Sequence, residues 1–359
     1  MINYSEVDSI RPHKLLLLIA VILLVTVLGA VPATNLAAGA DETAVLRYDV
    51  QCTGHYSPMP GNSASEGRLN WNYMTKGAVF SSPTALDGIV YVGSYDHNVY
   101  ALNATNGTKV WNYTTGGQVY SSPIVANGIV YVGSYDHNVY ALNATTGTKV
   151  WNYATGDAVS YSPIVANGIV YVGSYDHNVY ALNATNGTKV WSYATLGLVD
   201  HRPAVANGIV YIGSRDNNVY ALNATNGTKV WSHSIGNFVT SPAVANGIVY
   251  FGSGDNNVYA LNATTGTRVW SYATRDAVWA APAVADGIIY VGSYDSNVYA
   301  LTATTGAKVW NYITGSIVSS SPIVANGIVY VGSGRGMIYA LNTTTGTKVW
   351  SYDTGRTGV

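Results

Sequence analysis

The sequence predicts an all-β fold, a seven-bladed β-propeller of four-stranded antiparallel blades. Three observations predict it: a repeat of about 40 residues, turn signals that cut each repeat into four strands, and strands that are apolar on both faces.

The repeat is marked by tryptophan. Trp71, Trp111, Trp151, Trp191, Trp231, Trp270, Trp310 and Trp350 are spaced 40, 40, 40, 40, 39, 40 and 40 residues apart. Asn127-Gly128 is a two-residue hairpin signal between the first strand and the second. Residues 134–138 separate the second strand from the third, and 143–147 the third from the fourth. These strands are named A to D. Ile129 to Val132 in strand B and Val139 to Leu142 in strand C have no polar face, so the sheet must be covered on both sides. Identical sheets stacked around an axis do this, whereas a single 40-residue unit cannot bury a core alone. Strand D is the expected outer edge. It carries Lys109, Lys149, Lys189, Lys229, Arg268, Lys308 and Lys348, each two residues before a tryptophan, which oppose edge-to-edge pairing with other chains.

The run from Gly93 through Ser-Tyr-Asp-His-Asn-Val-Tyr-Ala-Leu-Asn-Ala-Thr-Asn-Gly-Thr-Lys-Val to Trp111 resembles the pyrroloquinoline-quinone-type (PQQ-like) propeller repeat. Seven copies cover residues 79–354. The resemblance implies that Trp111, Trp151, Trp191, Trp231, Trp270, Trp310 and Trp350 dock each blade against its neighbour. Residues 46–58 are similar to the lead-in segment of secreted members. The family includes quinoprotein dehydrogenases, outer-membrane assembly factors and cell-surface proteins. The dehydrogenases carry eight blades, a pair of adjacent cysteines and acidic calcium ligands. Here Cys52 stands alone and no acidic cluster matches, so the resemblance implies a propeller without a cofactor. Residues 67–71 look like a surplus strand D ahead of the first blade. They belong either to an incomplete eighth blade or against blade seven.

Three segments are expected: residues 1–40 for export, 41–78 as a lead-in with the surplus outer strand, and 79–359 as the propeller. Residues 15–31 are an apolar run of 17, preceded by Arg11 and Lys14 and followed by Ala38-Gly39-Ala40. That order is a secretory signal peptide, or a signal anchor if it is retained. Either places the remainder outside the cytoplasm, secreted or at the cell surface, with membrane contact only through this segment. Charged residues are 10 % of the chain, against roughly 25 % in ordinary domains. The net charge of −1 supplies no field for nucleic acid. One cysteine permits no intrachain disulfide.

In such a blade the D-to-A and B-to-C connections share one face, and the A-to-B and C-to-D turns share the other. The second face carries Asn-x-Thr sequons at Asn103, Asn106, Asn143, Asn183, Asn186, Asn223, Asn226, Asn262 and Asn342. They read either as glycan acceptors of an exported glycoprotein or as ordinary turn residues. On the first face the repeat loses its consensus just before the strand-A prolines Pro83, Pro123, Pro163, Pro203, Pro242, Pro282 and Pro322. There stand Phe80, Tyr120, Tyr161, Asp200-His201-Arg202, Thr240, Trp279 and Ser319. Phe80, Tyr120, Tyr161, Asp200, His201, Arg202 and Trp279 are the candidate ligand-binding mouth of the central channel, unless the variation is drift in loops.

Asp96, Asp136, Asp176, Asp216, Asp255 and Asp295 in the B-to-C turns are expected to bond their own turn backbone. His97, His137 and His177 lie on successive blades, too far apart to share a metal. Asp200 and His201, as strand neighbours, should point to opposite faces and make a poor dyad. No phosphate loop or nucleophile elbow occurs. The expected function is therefore a non-enzymatic, exported binding or scaffold module with no catalytic, metal or cofactor residues and a protein or glycan partner. A quinone-dependent dehydrogenase and a structural coat protein are the alternatives.

Overall fold

The computed structural model describes residues 71–353, together with the backbone of Thr43–Ala44 and His55–Tyr56. The export segment, the rest of the lead-in, Cys52 and the end of the chain lie outside the described residues. No helix occurs among the described residues, and so none long and apolar enough to cross a membrane.

The described chain forms seven antiparallel sheets, each built from four consecutive strands in the order A-B-C-D. The blades occupy residues 84–114, 124–154, 164–194, 204–234, 243–273, 283–313 and 323–353. In blade 3 the strands are Ile164–Ala166, Ile169–Gly173, Asn178–Asn183 and Lys189–Ala194. The A strands of successive blades are neighbours, so A faces the axis and D the rim.

The turns explain the repeat chemistry. The residue pair between A and B has φ near +50° then +72° to +75° in every blade, which places both central residues in the left-handed region. Asn, Asp and Gly tolerate that region best, and this turn matches the twist of the flanking strands. The third residue of the B-to-C turn is also left-handed, with φ of +70° at His97, His137 and His177. Asn217, Asn256, Ser296 and Gly336 fill the same position in other blades.

Strands B and C are buried except at their end residues, as their two-sided apolar pattern requires. The blades interlock through tryptophan. Trp151 of blade 2 donates its indole N–H to the Ala184 carbonyl of blade 3 at 2.9 Å, and Tyr131 donates its hydroxyl to the same oxygen at 3.0 Å. The two rings lie 5.8 Å apart. The indole packs on Gly187, where any Cβ would come within 2.7 Å of it. Trp111, Trp191, Trp231, Trp270 and Trp310 repeat the contact on the blades that follow them. Six of the seven tryptophans expected to dock thus seat on the following blade, Trp350 being the exception, and burial of a large apolar side chain stabilises by about 1.5–3 kcal/mol.

Strand D takes a bulge between its lysine and its tryptophan: Lys189 opposes Leu182, while Trp191 opposes Ala181. Lys189 and Val190 thus both face solvent, while Trp191 turns fully inward and Tyr193 partly so. The edge lysines are exposed at the rim, as expected.

The ring has one distinct seam. Trp71, ahead of blade 1, takes the docking place on that blade, donating to the Ala104 carbonyl at 2.8 Å and packing on Gly107. Its described contacts are with blade 1, not blade 7, and residues 71–75 form no strand. At the other end, the buried Trp350 Nε1 has no acceptor among the described residues. Blade 7 keeps a cluster of its own around Ile328, Tyr330 and Trp350, whereas the core clusters on the other side of each intermediate blade span blade boundaries. Two short lead-in strands line the inside of the ring. Thr43–Ala44 pairs antiparallel with strand A of blade 2, and His55–Tyr56 pairs parallel with strand A of blade 7.

Candidate functional site

The two sets of connections do share one face. The backbone N–H of Gly156, in the loop from blade 2 to blade 3, donates to Asp176 Oδ2 in the blade-3 B-to-C turn at 2.6 Å. Asp176 Oδ2 also accepts from Tyr180 at 2.6 Å, and its Oδ1 accepts from the N–H of Asn178 at 3.0 Å. Asp96, Asp136, Asp216 and Asp295 repeat the set, so the turn aspartates are structural staples that reach further than their own turns. Burial pushes these carboxyls up, but the tyrosine and amide donors outweigh it and hold them below the usual range. His97, His137 and His177 are exposed on their own turns, and no group of His, Cys, Asp and Glu fit for a metal occurs among the described residues.

Within the D-to-A loops the last two residues before the proline have structural duties. In blade 2, Ser121 Oγ accepts from Gly133 N at 3.0 Å, bracing the loop to strand B. Ser81, Thr240 and Ser320 do the same in blades 1, 5 and 7, so Thr240 is a brace rather than a variable contact. Blades 3, 4 and 6 give up this hydroxyl for Tyr161, His201 and Ala280. The residue just before the proline forms a relay between blades. Ser82 N donates to Ser122 Oγ at 2.8 Å, and Ser122 N donates to Ser162 Oγ at 3.0 Å.

The candidate residues fall into three groups. Phe80 and Tyr120 stack at 4.7 Å with only 7° between their planes, and Tyr95 packs on both. Tyr135 and Tyr175 carry this aromatic arc across blades 2 and 3. Tyr161 meets His201 edge-on at 5.6 Å. Beyond it, Arg215 donates Nε–H to the buried Asp200 Oδ2 at 2.5 Å. Trp279 belongs to a separate platform, with Phe238 at 4.0 Å and Tyr294 at 5.9 Å. Gly254 makes room for Phe238, since a Cβ there would fall 2.1 Å from the ring. Trp279 is 41 % exposed and Tyr161 36 %, so both offer aromatic surface to solvent, while Ser319 is an exposed residue with no ring contact.

The expectation that Asp200 and His201 diverge is corrected. His201 Nε2 lies 3.4 Å from Asp200 Oδ1, because the segment is a bent loop and not a strand. Burial lowers the His201 pKa against the opposing pull of Asp200, so the ring is neutral at pH 7. Asp200 is already committed to Arg215.

Sequence reasoning missed Tyr95, Tyr135, Tyr175, Arg215, Phe238 and Tyr294. All but Phe238 occupy the first variable position after the Gly-Ser of strand B. The run of tyrosines there looked like consensus scaffold, and the change to Arg215, Gly254 and Gly334 was the available signal.

Comparison with known proteins agrees with this architecture. Among curated proteins no relative matches the chain. Solved structures that resemble it include BamB from Moraxella catarrhalis, at 19 % identity and a TM-score of 0.66, covering 76 % of this chain and 87 % of that one. The computationally designed Ika8 protein is 19 % identical with a TM-score of 0.72, over 79 % and 90 % of the two chains. A quinohemoprotein alcohol dehydrogenase from Pseudomonas putida is 16 % identical with a TM-score of 0.72, over 86 % and 71 %. At these identities the likeness shows the fold alone. The family model described as outer membrane protein assembly factor BamB matches residues 61–125, 115–198, 195–281 and 276–359, and the chain belongs to that PQQ-like propeller family.

Proposed function

We propose that the protein is a non-enzymatic, exported propeller module that docks a partner protein on the D-to-A and B-to-C face. The observation that carries this reading is the exposed aromatic surface of Tyr161 and the Trp279 platform, flanked by the Arg215–Asp200 pair. Aromatic side chains and arginine supply rigid contact area and planar donors, the pattern of interface anchors. The family's description as an outer membrane protein assembly factor favours a protein over a glycan as the partner. The location is outside the cytoplasm, at the cell surface or secreted, on the strength of residues 1–40. The sequons on the opposite face leave the docking face clear of any glycan they carry.

A quinone-dependent dehydrogenase would need free carboxylate oxygens at its centre. The turn aspartates spend their oxygens on backbone and tyrosine donors, and Asp200 is held by Arg215. The described residues do not fit a quinone with a divalent cation.

The test is a binding screen of the full chain against arrayed extended peptides and cell-wall glycans. Trp279→Ala and Tyr161→Ala should each weaken the strongest peptide at least tenfold, with melting unchanged. Equal binding by parent and both variants would place the docking surface elsewhere. Dye-linked alcohol oxidation after addition of pyrroloquinoline quinone and calcium should stay at background.

A further inference from the structure

We propose that Arg202 forms an anion site in the ring of D-to-A loops, and that its ligand is a carboxylate. The proposal deepens the docking reading, since a partner on this face would deliver the group, although a free organic acid carries the same chemistry.

The position is singular. The residue before the strand-A proline is Ser82, Ser122, Ser162, Ser241, Ala281 and Ser321 in the other six blades. All are small, and serine hydroxyls there accept the N–H from the preceding blade. Ala281 and Arg202 both interrupt the relay, but only Arg202 does so with a charged side chain. Its own N–H donates onward to Ser241 Oγ at 3.0 Å, yet it has no oxygen for Ser162. In place of a hydroxyl, blade 4 inserts a guanidinium.

That guanidinium is 3 % exposed, and none of its Nε, Nη1 and Nη2 atoms has a hydrogen-bond partner among the described residues. No carboxylate among the described residues pairs with it. The adjacent Asp200 has its Oδ2 on Arg215, and His201 is neutral, so the buried cluster carries one uncompensated positive charge. Five N–H bonds in a rigid planar fork are left facing no acceptor. A buried charge without a partner is strongly destabilising, and a side chain of this kind is kept only if something completes it. A carboxylate meets the fork with two parallel hydrogen bonds and cancels the charge. Asp200 Oδ1 faces His201 Nε2 at 3.4 Å, so neither reaches Arg202 with a hydrogen bond.

The test uses the full chain in a zwitterionic buffer of low salt. Arg202→Ser restores the ring's own residue and so should fold. Without added anion its melting midpoint should exceed that of the parent, because an uncompensated charge has been removed. Calorimetric titration with acetate should be saturable for the parent and at least tenfold weaker for Arg202→Ser, with acetamide silent. Trialanine with a free C-terminus and its amidated form separate the sources. A response confined to the free-acid peptide supports a partner's carboxylate, and one confined to acetate supports a small organic acid. If neither binds the parent, or if Arg202→Ser melts lower than the parent without anion, the guanidinium is satisfied within the protein and the site is wrong. The titration reads this site and the peptide array reads the aromatic surface, so failure of one is distinguishable from failure of the other.

Discussion

Gly187→Ala isolates the contact that holds one blade to the next. Two glycines in blade 3 share nearly the same backbone conformation, with φ of +73° at Gly187 and +72° at Gly168. A Cβ at Gly168 meets nothing within 4 Å, whereas one at Gly187 would lie 2.7 Å from the Trp151 indole. Gly168→Ala therefore pays only for a left-handed alanine, about 1 kcal/mol after the stiffer unfolded chain is counted. Gly187→Ala pays that and must also push Trp151 away, an overpacking cost of about 1–3 kcal/mol. Displacing the indole strains its bond to the Ala184 carbonyl, about another 1 kcal/mol. The sum is about 3–5 kcal/mol against about 1. For a domain of this size each kcal/mol moves the melting midpoint by roughly 2–4 °C. Thermal melting followed by circular dichroism should give a loss of at least about 6 °C for Gly187→Ala and about 2–4 °C for Gly168→Ala. Equal losses would refute the argument that the glycine is there to seat the tryptophan.

Asp176 supplies a pH test. Its carboxyl is held below the usual range in the fold, so its contribution is present above the ordinary aspartate pKa, near 3.9, and is lost as pH falls through the lowered value. The melting midpoint should be flat from pH 7 to 5 and drop below about pH 4. Asp176→Asn should cost about 1–2 kcal/mol at pH 7 and show a shallower acid fall; an unchanged acid profile would contradict the staple. Arg215→Ala leaves the buried Asp200 carboxylate unpaired and should cost about 1–3 kcal/mol, recovered largely in the double variant with Asp200→Asn. Failure of that recovery in melting experiments would show that the pair is not the source of the cost. Hydrogen exchange should begin at blade 7, whose Trp350 N–H lacks an acceptor, and blade 3 should be among the last to exchange. Uniform protection across the blades would contradict the seam.

The fold was legible in the chain because a repeat states each local rule seven times. The Asn-Gly pair demanded a left-handed hairpin, the two-sided Ile-Val-Tyr-Val run demanded cover on both faces, and the lysine before each tryptophan marked an edge. These are properties of short segments and their spacing. The face of the candidate site followed too, because connectivity alone decides which loops lie together. The partners of the site residues did not follow. Phe238 reaches Trp279 from another blade through the space left by Gly254, and Arg215 reaches Asp200 across 15 residues. The first depends on how neighbouring sheets stack, and the second on how an entry loop bends over the B-to-C turn of its own blade; no local pattern encodes either. Asp200 and His201 show the same limit: strand alternation was assumed where a bent loop brings them together. The resting place of Trp71 on blade 1 was also open until the ring was assembled, since eight equivalent tryptophans compete for seven equivalent seats. Repetition prescribed the blade and the order of its strands, through turn conformation and two-sided burial. Which side chains converge at the mouth, and that Arg202 is left buried without a partner there, arose from packing between blades, because burial and pairing are properties of the assembled ring.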